Sequence, residues 1–472
     1  GAALFYSEFL SAQPTELRHW EPLSGLSTAA LARRLGTDVA GLYDRYSPSG
    51  NYQLIGSSYI GDRDHHRLLG DLAVSEMAAP LRELLQRGQQ DMLRCFPSSE
   101  SASRLDEWFA RQTDRLAQLI ERHRDSTLDV LYQDWMQAEL PASADISRAG
   151  DLFALGAHAD QLALLNHFVT DYDRLADIYD AAMAEGATGL HGLRRDEGEL
   201  PFFAVFEHMG HHVRAECSLR DGALHIADRS FALDADGLPV ADLQAAGVRC
   251  LVGKAALLVI QVRLPGSGAP LALPYHGSAY MPSAFALQLG LQRAGLLPAE
   301  MHPIVRVRFH LLDRMAELDT PIALPEYLAH AVGATVLPAC NIAAQWRSWQ
   351  SQAQDRLAIF ADEAQRTAWL ADRFPDLVSR RDAMDRQRRE LAATDPKGEA
   401  IRELSHEVRS IDDLLLRELV DQIAQDWQLA QLDFWDSRGA IEPWCIALGG
   451  EAFYESVIAH AAIYTDPDTP TP

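Results

Sequence analysis

Two stretches of the chain hold residue types at spacings that can do chemistry. The denser is LALPYHGSAYMPSAFALQLGLQRAGLLPAEMHPIVRVRFHLLD, residues 271–313. A strand pattern ends at Tyr275, and His276-Gly277-Ser278 has the composition of a turn. A helix pattern runs from near Pro282 to Gly295, and PIVRVR returns as a second strand. In an open α/β sheet the crevice beyond the carboxyl ends of the strands is the favoured ligand site. His276, Gly277, Ser278, Tyr280, Arg306 and Arg308 are placed to converge there. The two arginines suit a carboxylate or phosphate. His276 or His310 suits proton transfer, and Ser278 and Tyr280 suit substrate orientation. A plainer outcome is equally open: the histidine and tyrosine satisfy backbone groups, and the arginines pair with some of the many carboxylates.

The second stretch is PFFAVFEHMGHHVRAE, residues 201–216. Its His208-Met209-Gly210-His211 fits a His-x-Gly-His signature that grips nucleotide phosphates. That chemistry needs a helix N-terminus directly after the motif. Both flanks here read as strands, and no 3.6-residue apolar stripe follows Gly210. The lysine-rich partner signature of such sites is absent, so a hairpin turn is expected.

Other candidates are weaker. His65-His66 sits among Asp62, Asp64 and Asp71, without the third or fourth converging ligand a metal requires. Asp173, Asp177 and Asp180 share one helical face and read as a solvated stripe. Five cysteines stand singly, which points to reduced thiols and no zinc ribbon. There is no phosphate-binding Gly-x-x-x-x-Gly-Lys loop and no Gly-x-Ser-x-Gly elbow. No metal is expected, and the residues name no cofactor.

The elements that must position these groups follow from pattern. At 472 residues with 47% hydrophobic and 23% charged residues, the chain is long enough for two or three folded domains. Residues 1–160 are helical in texture: SGLSTAALARRLG offers Ser27 as an N-cap and Gly36 as the closing residue. Helices are expected over 62–95, 101–124, 126–138 and 158–185. Strands and helices then alternate over 161–341, with KAALLVIQVRLP as a buried-strand candidate. An α/β layer with a partly parallel, Rossmann-like sheet is the expectation.

From 342 to 436 helix formers dominate. Leu370, Phe374, Leu377, Arg381, Met384, Arg388 and Leu391 step by four and three, and Ile401, Leu404, Val408, Ile411 and Leu415 resume the rhythm. The break ATDPKG between them, with Asp395 as cap and Pro396 at the first helical position, predicts a long antiparallel coiled-coil hairpin. Pro375 should kink its first arm. Residues 437–472 close the chain with a helix at 452–464 and a loose tail.

The net charge of -25 disfavours a nucleic-acid backbone or an anionic membrane surface. No run reaches transmembrane length. A cytoplasmic protein is expected.

The order of elements from about 160 to 465 resembles the cysteine-adding enzymes of bacillithiol biosynthesis. The residues that carry the resemblance are Gly277, Gln288-Leu289, Arg306 and Leu311-Leu312-Asp313, followed by the helical hairpin and GAIEPW at 439–444. Residues 1–160 contain neither the Thr-Gly-Gln-Gln turn nor the Glu-Asp-His-Asp segment of that family, so the resemblance implies a shortened or divergent relative. It implies a carbon–nitrogen ligase joining an amino-acid donor to a small amine. A homodimer built through the hairpin is expected with this reading; the reading from another class is a non-catalytic homologue whose hairpin and acidic surface serve assembly with a protein partner.

Overall fold

The computed structural model describes residues 9–13, 15–47, 68–140, 146–186, 189–275, 280–393, 398–437 and 441–466. The protein is a mixed α/β fold. The histidine pair His65-His66, the turn His276-Gly277-Ser278, the Asp395-Pro396 helix start and the loose tail lie outside the described residues.

Three long helices, α1 (Val74–Cys95), α2 (Ser99–Arg122) and α3 (Leu128–Glu139), lead into α4 (Ala159–Thr170) and α5 (Tyr172–Gly186). The stretch expected as one helix over 158–185 is thus two, broken at Asp171 (φ -136°, ψ 53°). Arg195 bonds Asp177 and Asp180 at 2.6 and 2.8 Å, which accounts for much of the acidic stripe.

A five-stranded sheet follows, built from β1 (Glu199–His208), β2 (His211–Arg220), β3 (Ala223–Ile226), β4 (Arg229–Ala232) and β5 (Val248–Gly253). Its order is β4-β3-β2-β1-β5 and every neighbouring pair is antiparallel. His208-Met209-Gly210-His211 is the β1–β2 hairpin turn. Met209 and Gly210 have φ of 50° and 81°, and His208 pairs with His211. Positive φ at both central residues is the twist that matches two antiparallel strands. Strand β2, not a helix N-terminus, follows the turn directly.

Two-residue links cannot make the crossovers that parallel strands need. That is why this sheet departs from the partly parallel expectation. The inner side chains Phe202, Ala204, Phe206, Leu224 and Leu251 pack against Leu164, Phe168 and Tyr179 of α4 and α5.

The run expected as a buried strand after Lys254 is instead a helix, α7 (Ala255–Gln261), with α6 (Val240–Ala245) before β5. A six-residue apolar run does not separate buried strand from buried helix by period alone. The fully buried Gln261 decides the matter. Its side chain accepts from Gly253 N at 2.8 Å and donates to Leu251 O at 3.0 Å, so the helix folds back onto β5.

Glu199 ties β1 to the neighbouring segments through Arg194 at 2.9 Å and through Lys254. Burial works against its charge, and the hydrogen bonds from Arg194 and Lys254 outweigh it, lowering its pKa from 4.5 to about 2. A lowered carboxylate contributes stability above its unfolded pKa and loses it as pH falls toward the folded value. Stability is therefore expected to decline between pH 4.5 and about 2 through this group. Glu199→Gln should flatten that limb of a urea-denaturation series across pH.

The only parallel pair among the described strands is β6 (Leu271–Pro274) with β7 (Ile304–Arg308), joined through α8 (Met281–Arg293). A short helix, α9 (Leu311–Arg314), and a small antiparallel ribbon of β8 (Pro321–Ala323) and β9 (Val336–Pro338) come next. Helix α10 (Ala339–Ala361) leads to α11 (Glu363–Arg373) and α12 (Pro375–Ala392), and α13 (Glu399–Leu429) returns. Pro375 ends one helix and starts another, with Phe374 at φ -129°, a full break in place of the expected kink. Proline lacks the N–H that a continuous helix would use and fits the first helical position.

Positions 370, 374, 377, 381, 384, 388 and 391 are half-buried, whereas Val408, Ile411 and Leu415 are buried. Arg356 bonds Asp426, while Arg381 and Arg380 lie 3.8 and 3.7 Å from Asp412 and Glu407. The pairing thus steps down α13 as the earlier helices step outward. Around the root of α13, Leu17, Trp20, Leu31 and Leu42 pack on Phe360, Leu419 and Val420. Ser27 caps its helix by accepting from Ala30 N at 3.3 Å.

Helix α14 (Glu442–Ala459) ends before residue 460, and the expected helical stretch to 464 is completed by a strand, β10 (Ala462–Thr465), antiparallel to β7. Ile463 and Tyr464 are β-formers and find an open sheet edge there. The largest core joins α1–α3 to Leu311, Trp346, Trp435 and Trp444. No helix among the described residues is long and apolar enough to cross a membrane.

Candidate functional site at the carboxyl end of β7

Strand β7 reads Val-Arg-Val-Arg, and its two-residue period puts Arg306 and Arg308 on one face. Register places Leu273 and Tyr464 opposite Arg306. Tyr275, two residues beyond Leu273, joins the same face. Its ring lies 5.4 Å from Tyr464 and 5.0 Å from the Arg308 guanidinium. Arg306 Nε donates to Asp466 Oδ2 at 2.7 Å, and its NH1 group donates to Pro274 O at 3.3 Å. Arg308 Nε donates to Asp436 Oδ2 at 2.8 Å.

The strand ends in a corner. His310 has φ 55° and ψ 36°, a left-handed conformation that is uncommon for a side chain with a Cβ. Two backbone bonds hold it. Its N–H donates to Asp436 O at 3.1 Å, and its carbonyl accepts from Arg314 N at 2.9 Å. Residues held this way cluster at functional positions, at a local expense of about 1–3 kcal/mol. His310 Nδ1 lies 3.7 Å from Asp313 Oδ2 and 3.6 Å from Asp436 Oδ2, with the imidazole half-exposed.

The two carboxylates differ in kind. Asp436 is sealed from solvent and also accepts from Leu312 N at 3.1 Å. Burial pushes its carboxyl pKa up, against the opposing contact with Arg308. Asp313 is one-third exposed and accepts both arms of the Arg347 guanidinium as well as Trp346 Nε1 at 3.1 Å. Burial again opposes ionisation, but the Arg347 and Trp346 bonds lower its pKa. Two carboxyls driven apart beside one imidazole is an arrangement used for acid–base work.

His310, Asp313 and Asp436 offer ligand atoms within 4.8 Å of one another, the spacing of a cation site. Arg308 and Arg347 already supply the positive charge there, so two arginines and two aspartates balance. An imidazole set between two carboxylates is a donor set that can carry proton transfer.

Of the residues singled out in the sequence, Arg308 and His310 are brought together and Arg306 lies beside them. Tyr280 is half-buried against the sheet core at the start of α8 and joins neither cluster. His276, Gly277 and Ser278 are outside the described residues. Asp436, Arg347 and Asp466 were not legible as site residues. They arrive across 128, 34 and 160 positions of chain, and one sequence carries no local signal for such contacts. Tyr275 was legible as a strand end, and Asp313 entered only as a residue that carries the family resemblance.

No family model, curated protein or solved structure matches the chain.

Proposed function

We propose that the chain is an acid–base enzyme of the ligase type, with His310 as the proton-transfer group and the β7 face as its substrate crevice. The observation that carries the reading is the left-handed corner that holds His310 between Asp313 and the sealed Asp436. In a carbon–nitrogen ligation, His310 takes the proton of an amine as its nitrogen attacks the donor's carboxyl carbon. That carboxyl is first activated by a nucleoside triphosphate as an acyl phosphate or acyl adenylate, and the phosphate or nucleotide then leaves with the electron pair. Asp436 orients the imidazole, and Arg306 and Arg308 line the anionic side of the crevice. The relation to cysteine-adding thiol biosynthesis belongs to this proposal, supported by the strand–helix–strand order of β6, α8 and β7 and by the paired helices that follow. The Rossmann-like and coiled-coil-hairpin readings of those elements are proposed on the same grounds.

His310→Gln is expected to lower turnover of cysteine with an amino-sugar amine by about 10²–10⁴-fold while leaving the thermal transition in place. Unchanged turnover sinks the acid–base reading, as does a wild-type protein that gains no thermal stability from nucleotides, cysteine or amino-sugar malates.

A second reading has its own observation. No residue of α11 or α12 is buried, so their apolar seam lacks a third layer. A homodimeric, non-catalytic assembly through these helices would cover it. A silent His310 variant that sediments as a dimer favours this reading.

A further inference from the structure

We propose that Arg306 is the anchor for a small carboxylate ligand, and that Asp466 occupies the anchor as a displaceable strap. The inference rests on the reading of the β7 face as a substrate crevice and names how that crevice is kept closed.

The two arginines of β7 are held by carboxylates of very different standing. Asp436 is sealed, tied to Arg308, Leu312 N and the His310 corner at once, and its removal would undo the fold locally. Asp466 is partly exposed, and it follows a four-residue edge strand that touches the sheet on one side only. Ile463 and Tyr464 of that strand are 70% and 43% exposed, so β10 buries little apolar surface. Apart from the Arg306 pair, what fixes Asp466 is the bond from its N–H to Ile304 O at 2.9 Å and the short β10–β7 ladder. Few buried contacts and an edge position are the marks of a segment that opens well below the global unfolding free energy.

The exchange itself is nearly balanced. Arg306 is almost fully buried, and losing the Asp466 carboxylate outright would take away a buried counter-charge while the bond to Pro274 O stays. A ligand carboxylate replaces the Asp466 carboxylate like for like, so the counter-charge is kept. The face then exposed holds Arg306, Tyr275 and, one step along the strand, the Arg308–Asp436–His310 cluster. A carboxylate anchored at Arg306 therefore lies on the strand face that carries Arg308, two residues before the His310 corner. The strap competes as a tethered ligand, which weakens the apparent affinity of any free carboxylate.

The test uses the full chain and succinate as the probe, read by titration calorimetry. Asp466→Asn keeps the backbone bond to Ile304 and removes the competing charge. It is expected to bind succinate at least tenfold more tightly than the wild type, and adding Arg306→Gln should abolish the gain. Equal affinity in the two proteins overturns the proposal, and so does a gain that survives the loss of Arg306.

A second measurement needs no variant. Amide exchange in the wild type should be at least a hundredfold faster in β10 than in the β6–β7 pair, and faster again with succinate present. Protection of β10 equal to that of β6–β7 overturns the strap. Both readouts are independent of turnover, so their failure and the failure of the His310 assignment are distinguishable.

Discussion

Replacing Asp436 with alanine is expected to lower folding stability by about 3–5 kcal/mol, the range for breaking a buried ion pair from one side. The carboxylate is fully buried and accepts from Arg308 Nε at 2.8 Å and Leu312 N at 3.1 Å. Alanine leaves the Leu312 N–H with no acceptor and the Arg308 guanidinium, only one-fifth exposed, with no counter-charge. Burial pushes the Asp436 carboxyl pKa up, and the bonds from Arg308 and Leu312 N work against that rise. Urea denaturation checks the figure as a fall in midpoint at unchanged slope. A loss below about 1 kcal/mol would mean that the corner relaxes around the missing carboxylate. A double-mutant cycle with Arg308→Ala should return a coupling well above the few tenths seen for independent sites.

The second large effect is in the main core. Trp444→Ala is expected to cost about 3–5 kcal/mol, the range for deleting a buried indole. Trp444 is fully buried, with its ring 5.2 Å from both Trp435 and Phe9. Phe9 in turn stacks on Phe96 at 5.8 Å, so the cavity would open where the first residues, α1 and the closing helix meet. Thermal unfolding should show a fall of many degrees, while Met209→Ala, 87% exposed at a hairpin tip, should leave the transition in place. A Trp444 variant within a degree of wild type would contradict the packing described.

What could be read from sequence alone follows the range of the interaction. The hairpin at Gly210 was legible because turn chemistry is local: glycine at a positive φ between alternating strands. The α8 helix and the β7 strand were legible from period, as were Ser27 and Gly36 at the ends of one short helix. The helix after Lys254 was not, because Ala-Ala-Leu-Leu-Val-Ile is apolar in either conformation and only Gln261, reaching back to β5, distinguishes them. The sheet's antiparallel order was implicit in its two-residue links, yet alternation with helices suggested a parallel layer. In the site, Arg306, Arg308 and His310 stood out by type and spacing on one strand. Asp466 and Asp436, which pair with the two arginines, and Arg347, which pairs with Asp313, stood out only once the chain was folded, because each is supplied by a different distant element.

The main core also sets a timetable. Helices α1–α3 bury their apolar faces against Trp435 and Trp444, which lie some three hundred residues further along the chain. At roughly 5–20 residues per second of synthesis, those faces wait on the order of 15–60 s for their cover. During that interval Leu105, Trp108 and Phe109 have only the other apolar side chains of α1–α3, such as Leu81, Leu85 and Leu131, to shield them. The sheet core, drawn from residues 155–304, can close while the ribosome is still working. Slowing or pausing translation between the two is therefore a lever on the yield of folded protein that no substitution in either core would reveal.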